Sequence, residues 1–307
     1  MRIVIALGGN ALLERGDKPD AVIQHRHVRR AARSLAPLAA DHQLIICHGN
    51  GPQVGLLAQE SETDPALSLP YPLDVLGAQT QGMIGYWLVQ ELANAGVEKP
   101  VVALVTQTVV DADDPAFGRP TKFIGPGFAR DQAEAAAARF GWTIAADGDR
   151  WRQVVPSPKP RRVVELPTIR ALVDRDVVVV CGGGGGAPVT EAGDGRLTGT
   201  DAVVDKDLTA AHVALELGAD RLLVLTDVPA VIRGYGTPRA EPIRSVDTDT
   251  LAALPFPAGS MGPKVDACVD FVRLSGRTAA IGALTDAAGV LAGRTGTTIT
   301  RTPIMPR

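Results

Sequence analysis

The sequence predicts an α/β fold: a three-layer αβα sandwich around an open, mostly parallel central sheet, with an inserted protruding subdomain. Two short β-branched runs break off into glycine turns, Ile3–Leu7 into Gly8-Gly9-Asn10 and Leu44–Cys47 into His48-Gly49-Asn50-Gly51. Buried parallel strands meet their carboxyl-end loops in this way. Helix-period stretches alternate with the runs, and a βαβα order puts helices on both faces of one sheet. The alternation breaks once, from about Asp111 to Pro167. Prolines, two of the three tryptophans and the basic clusters Arg150-Trp151-Arg152 and Lys159-Pro160-Arg161-Arg162 collect there, as in an inserted flap.

Along the chain, Ala21 to Ala40 is helix-like, with Val22, Val28, Leu35 and Leu38 among polar and alanine positions. A second helix is expected over Gln53–Glu60, a loop over Pro65–Pro72, and a long helix from Leu73 to Ala95 stopped by Gly96. Val101–Val110 is β-branched and reads as a strand. After the insert come helix Thr168–Arg175, strand Val177–Cys181, helix Asp207–Gly218, strand Arg221–Thr226, helix Pro263–Ser275 and strand Thr278–Ile281.

At 307 residues the chain suits one large or two moderate domains. Hydrophobic residues make up 45% but aromatics only 4%, so the core must be aliphatic. A net charge of −3 argues against nucleic acid as a partner. No stretch approaches the roughly 18 apolar residues of a membrane span. Three scattered cysteines, Cys47, Cys181 and Cys268, have no metal spacing and fit a reducing, cytoplasmic setting.

Glycines at strand ends let the backbone approach a ligand, and successive N–H groups can cradle an anion. A third glycine run, Gly182–Gly186, adds to the two turns. There is no GxxxxGK[ST] P-loop, and Pro188 denies the Gly182 run the strand-to-helix context of a dinucleotide fingerprint. Lys206 lies between Asp205 and Asp207 ahead of a helix that Asp207 is placed to cap. Taken alone, this triplet reads more readily as a solvated charge cluster. Its place after the glycine loop favours a lysine bridging phosphoryl oxygens, steadied by carboxylates. Thr226-Asp227 ends another strand and is equally an ordinary turn. Lys264, in the first turn of the helix after Gly259-Ser260-Met261-Gly262-Pro263, opposes the helix dipole unless an anion completes the site. His48 reads as a hydrogen-bonded structural histidine.

Several strings now in hand resemble the amino-acid kinase superfamily and, within it, the carbamate kinase family: Ala6–Ala11, His48-Gly49-Asn50-Gly51-Pro52-Gln53-Val54-Gly55, Gln79–Tyr86, Pro120-Thr121-Lys122, Val154–Pro158, Cys181–Gly185, Val204–Asp207 and Gly259–Lys264. The resemblance spans essentially the whole chain. It implies reversible phosphoryl transfer between ATP and carbamate, with carbamoyl phosphate and ADP as the other pair and Mg²⁺ held mainly by the nucleotide phosphates. It also implies net ATP synthesis at the end of arginine or purine breakdown, and a homodimer. Gly8, Gly9, Asn10, Gly49, Asn50 and Gly51 would bind carbamate and the transferring group. Lys122 and Lys206 would flank that group, Asp205 and Asp207 would organise the lysines, and Lys264 would stabilise the nucleotide phosphates. Thr226, Asp227, Tyr235 and Met261 would line the nucleotide pocket. Residues 1–185 would form the acceptor lobe, carrying the protruding subdomain at about 111–167, and residues 186–307 the nucleotide lobe. Many superfamily members carry lysine where Ala6 stands, and Lys122 on the insert is the natural replacement. Phe123 stands where many have proline, and the glycine run is one residue longer than usual. Another small-acid kinase, or a catalytically dead sensor of carbamoyl phosphate or nucleotide, are the rival readings.

Overall fold

A computed structural model describes residues 1–9, 12–14, 16–256 and 260–302. In chain order the first part holds β1 (Arg2–Leu7), α1 (Ala21–Asp41), β2 (Gln43–His48), α2 (Gly51–Thr63), α3 (Leu73–Asn94), β3 (Val101–Ala103) and β4 (Gln107–Val110). The insert contributes β5 (Lys122–Phe128), α4 (Arg130–Phe140), β6 (Thr143–Asp147), β7 (Arg150–Val155) and β8 (Pro160–Val163), and α5 (Leu166–Val173) and β9 (Val178–Val180) return the chain to the main body. Then follow β10 (Ala187–Glu191), β11 (Leu197–Gly199), α6 (Lys206–Glu216), β12 (Arg221–Thr226), β13 (Ile232–Arg233), β14 (Glu241–Pro242), β15 (Ser245–Asp247) and α7 (Thr248–Ala252). The last elements are α8 (Gly262–Ser275), β16 (Thr278–Ala283), α9 (Ala287–Leu291) and β17 (Thr297–Thr300).

Eight strands form the central sheet in the order β15-β17-β16-β12-β1-β2-β9-β3. Every pairing is parallel except β16 with β17. Residues 1–185 supply the contiguous half from β1 to β3, and residues 186–307 the half from β12 to β15. The strand period of two decides which layer each side chain enters. Val4, Ala6, Ile45 and Val224 pack with α6 and α8 residues such as Ala210, Val265 and Phe271. Ile3, Ile5, Leu7, Ile46 and Leu223 pack on the other face with Val28 and Leu35 of α1 and Ile84 and Leu88 of α3. Each fully buried Leu, Ile or Val stabilises the fold by about 1.5–3 kcal/mol.

The expected strand Val101–Val110 divides in two. Val101–Ala103 is the edge of the central sheet, whereas Gln107–Val110 joins a second sheet of order β11-β10-β4-β8. Thr106 at the break is fully buried, and Gln81 bonds both its N–H and its hydroxyl, so the chain can leave the sheet without orphaned polar groups. The expected insert, about 111–167, holds a sheet of its own. This sheet, β5-β7-β6, lies within residues 122–155, and β8 has already rejoined β4.

The insert is seated on α2. Ile124 and Val155 share a small core with Val54, Ala58, Leu73, Leu76 and Val203. Trp142 Nε1 donates to Glu62 Oε1 at 2.8 Å. Gly55 of α2 meets Gly125 of β5 so closely that a Cβ on Gly55 would lie 2.0 Å from the Gly125 backbone. Gly55→Ala is therefore expected to destabilise the protein by about 1–3 kcal/mol through overpacking and to displace the insert. Thermal unfolding checks it, and an unchanged midpoint would remove this contact as the seat of the insert.

Candidate active site

The carboxyl ends of β9, β2, β1 and β12 lie side by side, and each opens onto one of the turns singled out in the sequence. From β1 the chain moves toward β2, and from β12 toward β16, so the crevice between them is a topological switch point, where open α/β sheets bind ligands. The Gly8 N–H donates to Leu225 O at 2.8 Å and the Gly49 N–H to Leu7 O at 3.0 Å. These two expected anion donors are thus already bonded to neighbouring strand ends, which corrects the sequence-based expectation for their N–H groups. A Cβ on Gly49 would sit 2.9 Å from Gly9 N and 3.3 Å from Lys206 Cε, so the turns after β1 and β2 and the Lys206 side chain meet at one point. Asn10, and Gly259 of the later motif, lie outside the described residues.

Lys206 is not a solvated charge. It is 7% exposed, Asp205 6% and Asp207 2%. Asp205, not Asp207, caps α6, accepting from the Asp207 and Leu208 N–H groups at 2.8 and 3.3 Å. The cap frees the Asp207 carboxylate, inside the first turn, for two lysines: Lys206 Nζ at 2.5 Å and Lys264 Nζ at 3.2 Å. Lys122, carried in on β5, pairs with Asp205 Oδ2. Three ammonium groups thus bond two carboxylates, and the amino termini of α6 and α8 both point positive ends into the cluster.

The electrostatics follow from this arrangement. Burial alone would raise the Asp205 carboxyl, but Lys122 and Lys206 outweigh it and hold it well below the usual range. Asp207 is held low against its own burial by Lys206 and Lys264. Burial pushes the Lys206 ammonium down, with Asp207 opposing and Lys264 reinforcing the fall. Lys264 is burdened by burial yet ends above its ordinary value because Asp207, then Asp205, outweigh the cost. Asp207 thereby offsets the unfavourable dipole position of Lys264.

The remaining predicted residues distribute unevenly. Thr226, buried, donates its hydroxyl to Asp227 Oδ1 at 2.9 Å, and Asp227 is exposed within the field of Lys264. Met261 sits at the start of α8, half-buried. Tyr235 lies on the turn between β13 and β14 and is 76% exposed. Asn50 stands at the N-cap position of α2, but its side-chain oxygen accepts no helix N–H, and its Nδ2 donates to Thr80 Oγ1 at 2.8 Å. Gly182–Gly186 is a buried wedge: the Gly182, Gly185 and Gly186 N–H groups bond Thr106 Oγ1, Gly182 O and Gly183 O. The string Gln79–Tyr86, quoted above only for its resemblance, supplies buried Thr80 and Gln81, which bond Asn50 after β2 and Thr106 beside the glycine run.

A cluster holding more ammonium groups than carboxylates, at a strand-end crevice lined by backbone, can bind a polyanion and stabilise charge moving between its oxygens. His48 serves the scaffold. Burial lowers its pKa, its contact with Gly49 O at 3.1 Å opposes, and Lys206 lowers it further, to about 4. The unfolded imidazole takes a proton near pH 6.5 and the folded one only near pH 4. Stability is therefore whole above pH 6.5 and is lost as pH falls through that window, on the order of 2 kcal/mol by pH 5. Urea unfolding at pH 7 and pH 5 should show this slope, and His48→Gln should flatten it. Equal slopes in the two proteins would clear His48 of the effect.

The chain is similar to known proteins over almost its whole length. The amino acid kinase family model matches residues 1–283. A carbamate kinase of Rhizobium meliloti is 49% identical over 303 residues, covering 97% of this chain and 93% of the relative. One from Escherichia coli K12 is 46% identical over 97% of this chain and 98% of the relative. Among solved structures, the Giardia lamblia carbamate kinase bound to citric acid superposes with a TM-score of 0.91 at 37% identity, covering 97% of this chain and 98% of that one. The same enzyme bound to AMP-PNP gives 0.86 at 37% identity with the same coverage. The chain belongs to the amino acid kinase family, in its carbamate kinase branch.

Proposed function

We propose that this protein is a carbamate kinase, moving a phosphoryl group reversibly between ATP and carbamate by electrostatic stabilisation, with no covalent intermediate. The observation that carries the mechanism is the pairing of buried Lys206 and half-buried Lys122 and Lys264 with buried Asp205 and Asp207 at the switch-point crevice. In the synthetic direction a carbamate oxygen attacks the γ-phosphorus of ATP, the bond to the ADP oxygen breaks, and carbamoyl phosphate forms. Catalysis of such a transfer is mostly positioning and charge stabilisation. Lys206 and Lys122 flank the transferring group, and Asp207 and Asp205 hold their ammonium groups in place. Lys264 stabilises the nucleotide phosphates, and magnesium enters with them as part of the substrate. Gly9 and Gly51 offer the backbone donors of the acceptor pocket, with Asn50 adding its amide, while Gly8 and Gly49 shape the floor. Thr226, Asp227 and Met261 line the nucleotide side, and Tyr235 closes on it from its exposed turn. On this reading residues 1–185 are the acceptor lobe and 186–307 the nucleotide lobe, which meet between β1 and β12. In the opposite direction carbamoyl phosphate and ADP yield ATP and carbamate, and carbamate decays to ammonia and CO₂.

A homodimer follows the same reading. Tyr86 of helix α3 and Val105, just past the edge strand β3, are exposed around an open cavity of about 390 Å³ also lined by Val89 and Ala103. An uncovered sheet edge beside apolar side chains suits a second copy. Cytoplasmic residence is part of the proposal, and the three free, buried cysteines fit it. No helix among the described residues is long and apolar enough to cross a membrane.

Magnesium-dependent ATP formation from ADP and carbamoyl phosphate tests the reading, with acetyl phosphate as the control donor. Rapid turnover confined to carbamoyl phosphate is expected, and turnover confined to another acyl phosphate would replace carbamate as the acceptor. In the same assay Lys206→Ala should lower kcat by about 10²-fold or more with the fold intact, since a transition-state charge contact is removed. Near-normal kcat would take Lys206 out of the mechanism. Lys122→Ala should impair turnover and the KM for carbamoyl phosphate while sparing that for ADP. Equal damage to both substrates would count against delivery of Lys122 by the insert.

A further inference from the structure

The string Gln79–Tyr86 carries family resemblance, yet beyond satisfying Thr106 and Asn50 it has no assigned part in the site. Two of its side chains, Thr80 and Gln81, are buried in α3 and reach the turns after β2 and β9. Thr80 Oγ1 donates to Gly77 O at 2.8 Å, which commits the only hydroxyl proton. The oxygen can then only accept, and it accepts from Asn50 Nδ2 at 2.8 Å. The direction of this chain of bonds fixes which end of the Asn50 amide faces α3, because an amide oxygen turned there would meet a lone pair. Gln81 grips Thr106 three times: Oε1 accepts from its N–H at 2.9 Å and its hydroxyl at 3.0 Å, and Nε2 donates to its carbonyl at 3.1 Å. With its proton given to Gln81, Thr106 Oγ1 accepts the Gly182 N–H at 2.9 Å. That bond sets the start of the glycine wedge, and the wedge presses on Asn50. A Cβ on Gly184 (φ +61°) would lie 2.1 Å from Asn50 Nδ2.

We infer that Thr80 and Gln81 are positioning residues for the acceptor side of the site: together they clamp the Asn50 amide between α3 and the Gly182–Gly186 wedge in a single orientation. The inference rests on the carbamate kinase reading and on Asn50 meeting the acceptor. Preorganised amide donors lose little freedom when the transferring group arrives, so freeing the amide weakens acceptor-side binding and turnover while leaving the nucleotide side alone.

Thr80→Val keeps the shape and removes the hydroxyl, and Thr80→Ser keeps the hydroxyl. In ATP formation, Thr80→Val should lower kcat/KM for carbamoyl phosphate about tenfold or more, as expected for an oriented hydrogen bond lost beside the reacting group. The KM for ADP should stay within about twofold, and Thr80→Ser should recover most of the loss. Adding Asn50→Ala to Thr80→Val should cost little beyond Asn50→Ala alone, because both remove one oriented amide. Gln81→Met supplies a second route to the same substrate split if Thr80→Val does not fold. Wild-type kcat/KM in a folded Thr80→Val protein, equal losses for both substrates, or full additivity with Asn50→Ala each overturn the inference. Wild-type protein that forms no ATP from carbamoyl phosphate sinks the parent reading and the inference with it.

Discussion

Everything near the crevice depends on holding together buried Lys206, Asp205 and Asp207 with half-buried Lys122 and Lys264. An unpaired buried charge costs several kcal/mol, and removing one partner of a buried pair typically costs about 3–5 kcal/mol. The chain meets this by alternating sign through contact: Lys122 on Asp205, then Asp207 between Lys206 and Lys264. The backbone of α6 couples the two pairs, since Asp205 caps the helix through the Asp207 N–H. The three ammonium groups outnumber the two carboxylates they pair with. Such a surplus of positive charge suits a polyanion, as the proposed reaction needs.

The fold can be understood as what brings those charges together. β1 and β2 end in turns small enough to let Lys206 lie against backbone. α8 delivers Lys264 in its first turn, a place that only Asp207 or a bound anion makes favourable. Lys122 comes from an insert that shares a core with α2 and α3 and touches α2 backbone to backbone at Gly55 and Gly125. The two halves of the sheet join at β1 and β12, so the cluster straddles the seam between residues 1–185 and 186–307.

Much of this is legible in the sequence, and the misses have physical causes. Strand Arg221–Thr226 and helix Leu73–Asn94 stand within a residue of expectation because an unbroken apolar run ending in Thr226-Asp227 marked the strand and a glycine stop the helix. Val101–Val110 looked like one strand because β-branched residues continue through it, whereas the break is made by Gln81, remote in sequence. Asp207 was as good a capping residue as Asp205 on composition, and only the packing of Lys206 and Lys264 separates them. Gly182–Gly186 resembled an anion cradle, yet its neighbours Asn50, His48, Val204 and Thr108 leave no room for side chains, so its glycines serve close packing. Thr80 and Gln81 stood in a string that carries the resemblance but had no role, because their partners Asn50 and Thr106 are remote in sequence.

The central claim is that phosphoryl transfer occurs directly between substrates held by this charge cluster. Exchange of isotope between labelled ADP and ATP, measured with and without carbamate, tests it most directly. Direct transfer predicts exchange only when carbamate is present, because the phosphoryl group has no other acceptor. Exchange in its absence would reveal a phosphorylated protein intermediate and contradict catalysis by positioning and lysine charge alone.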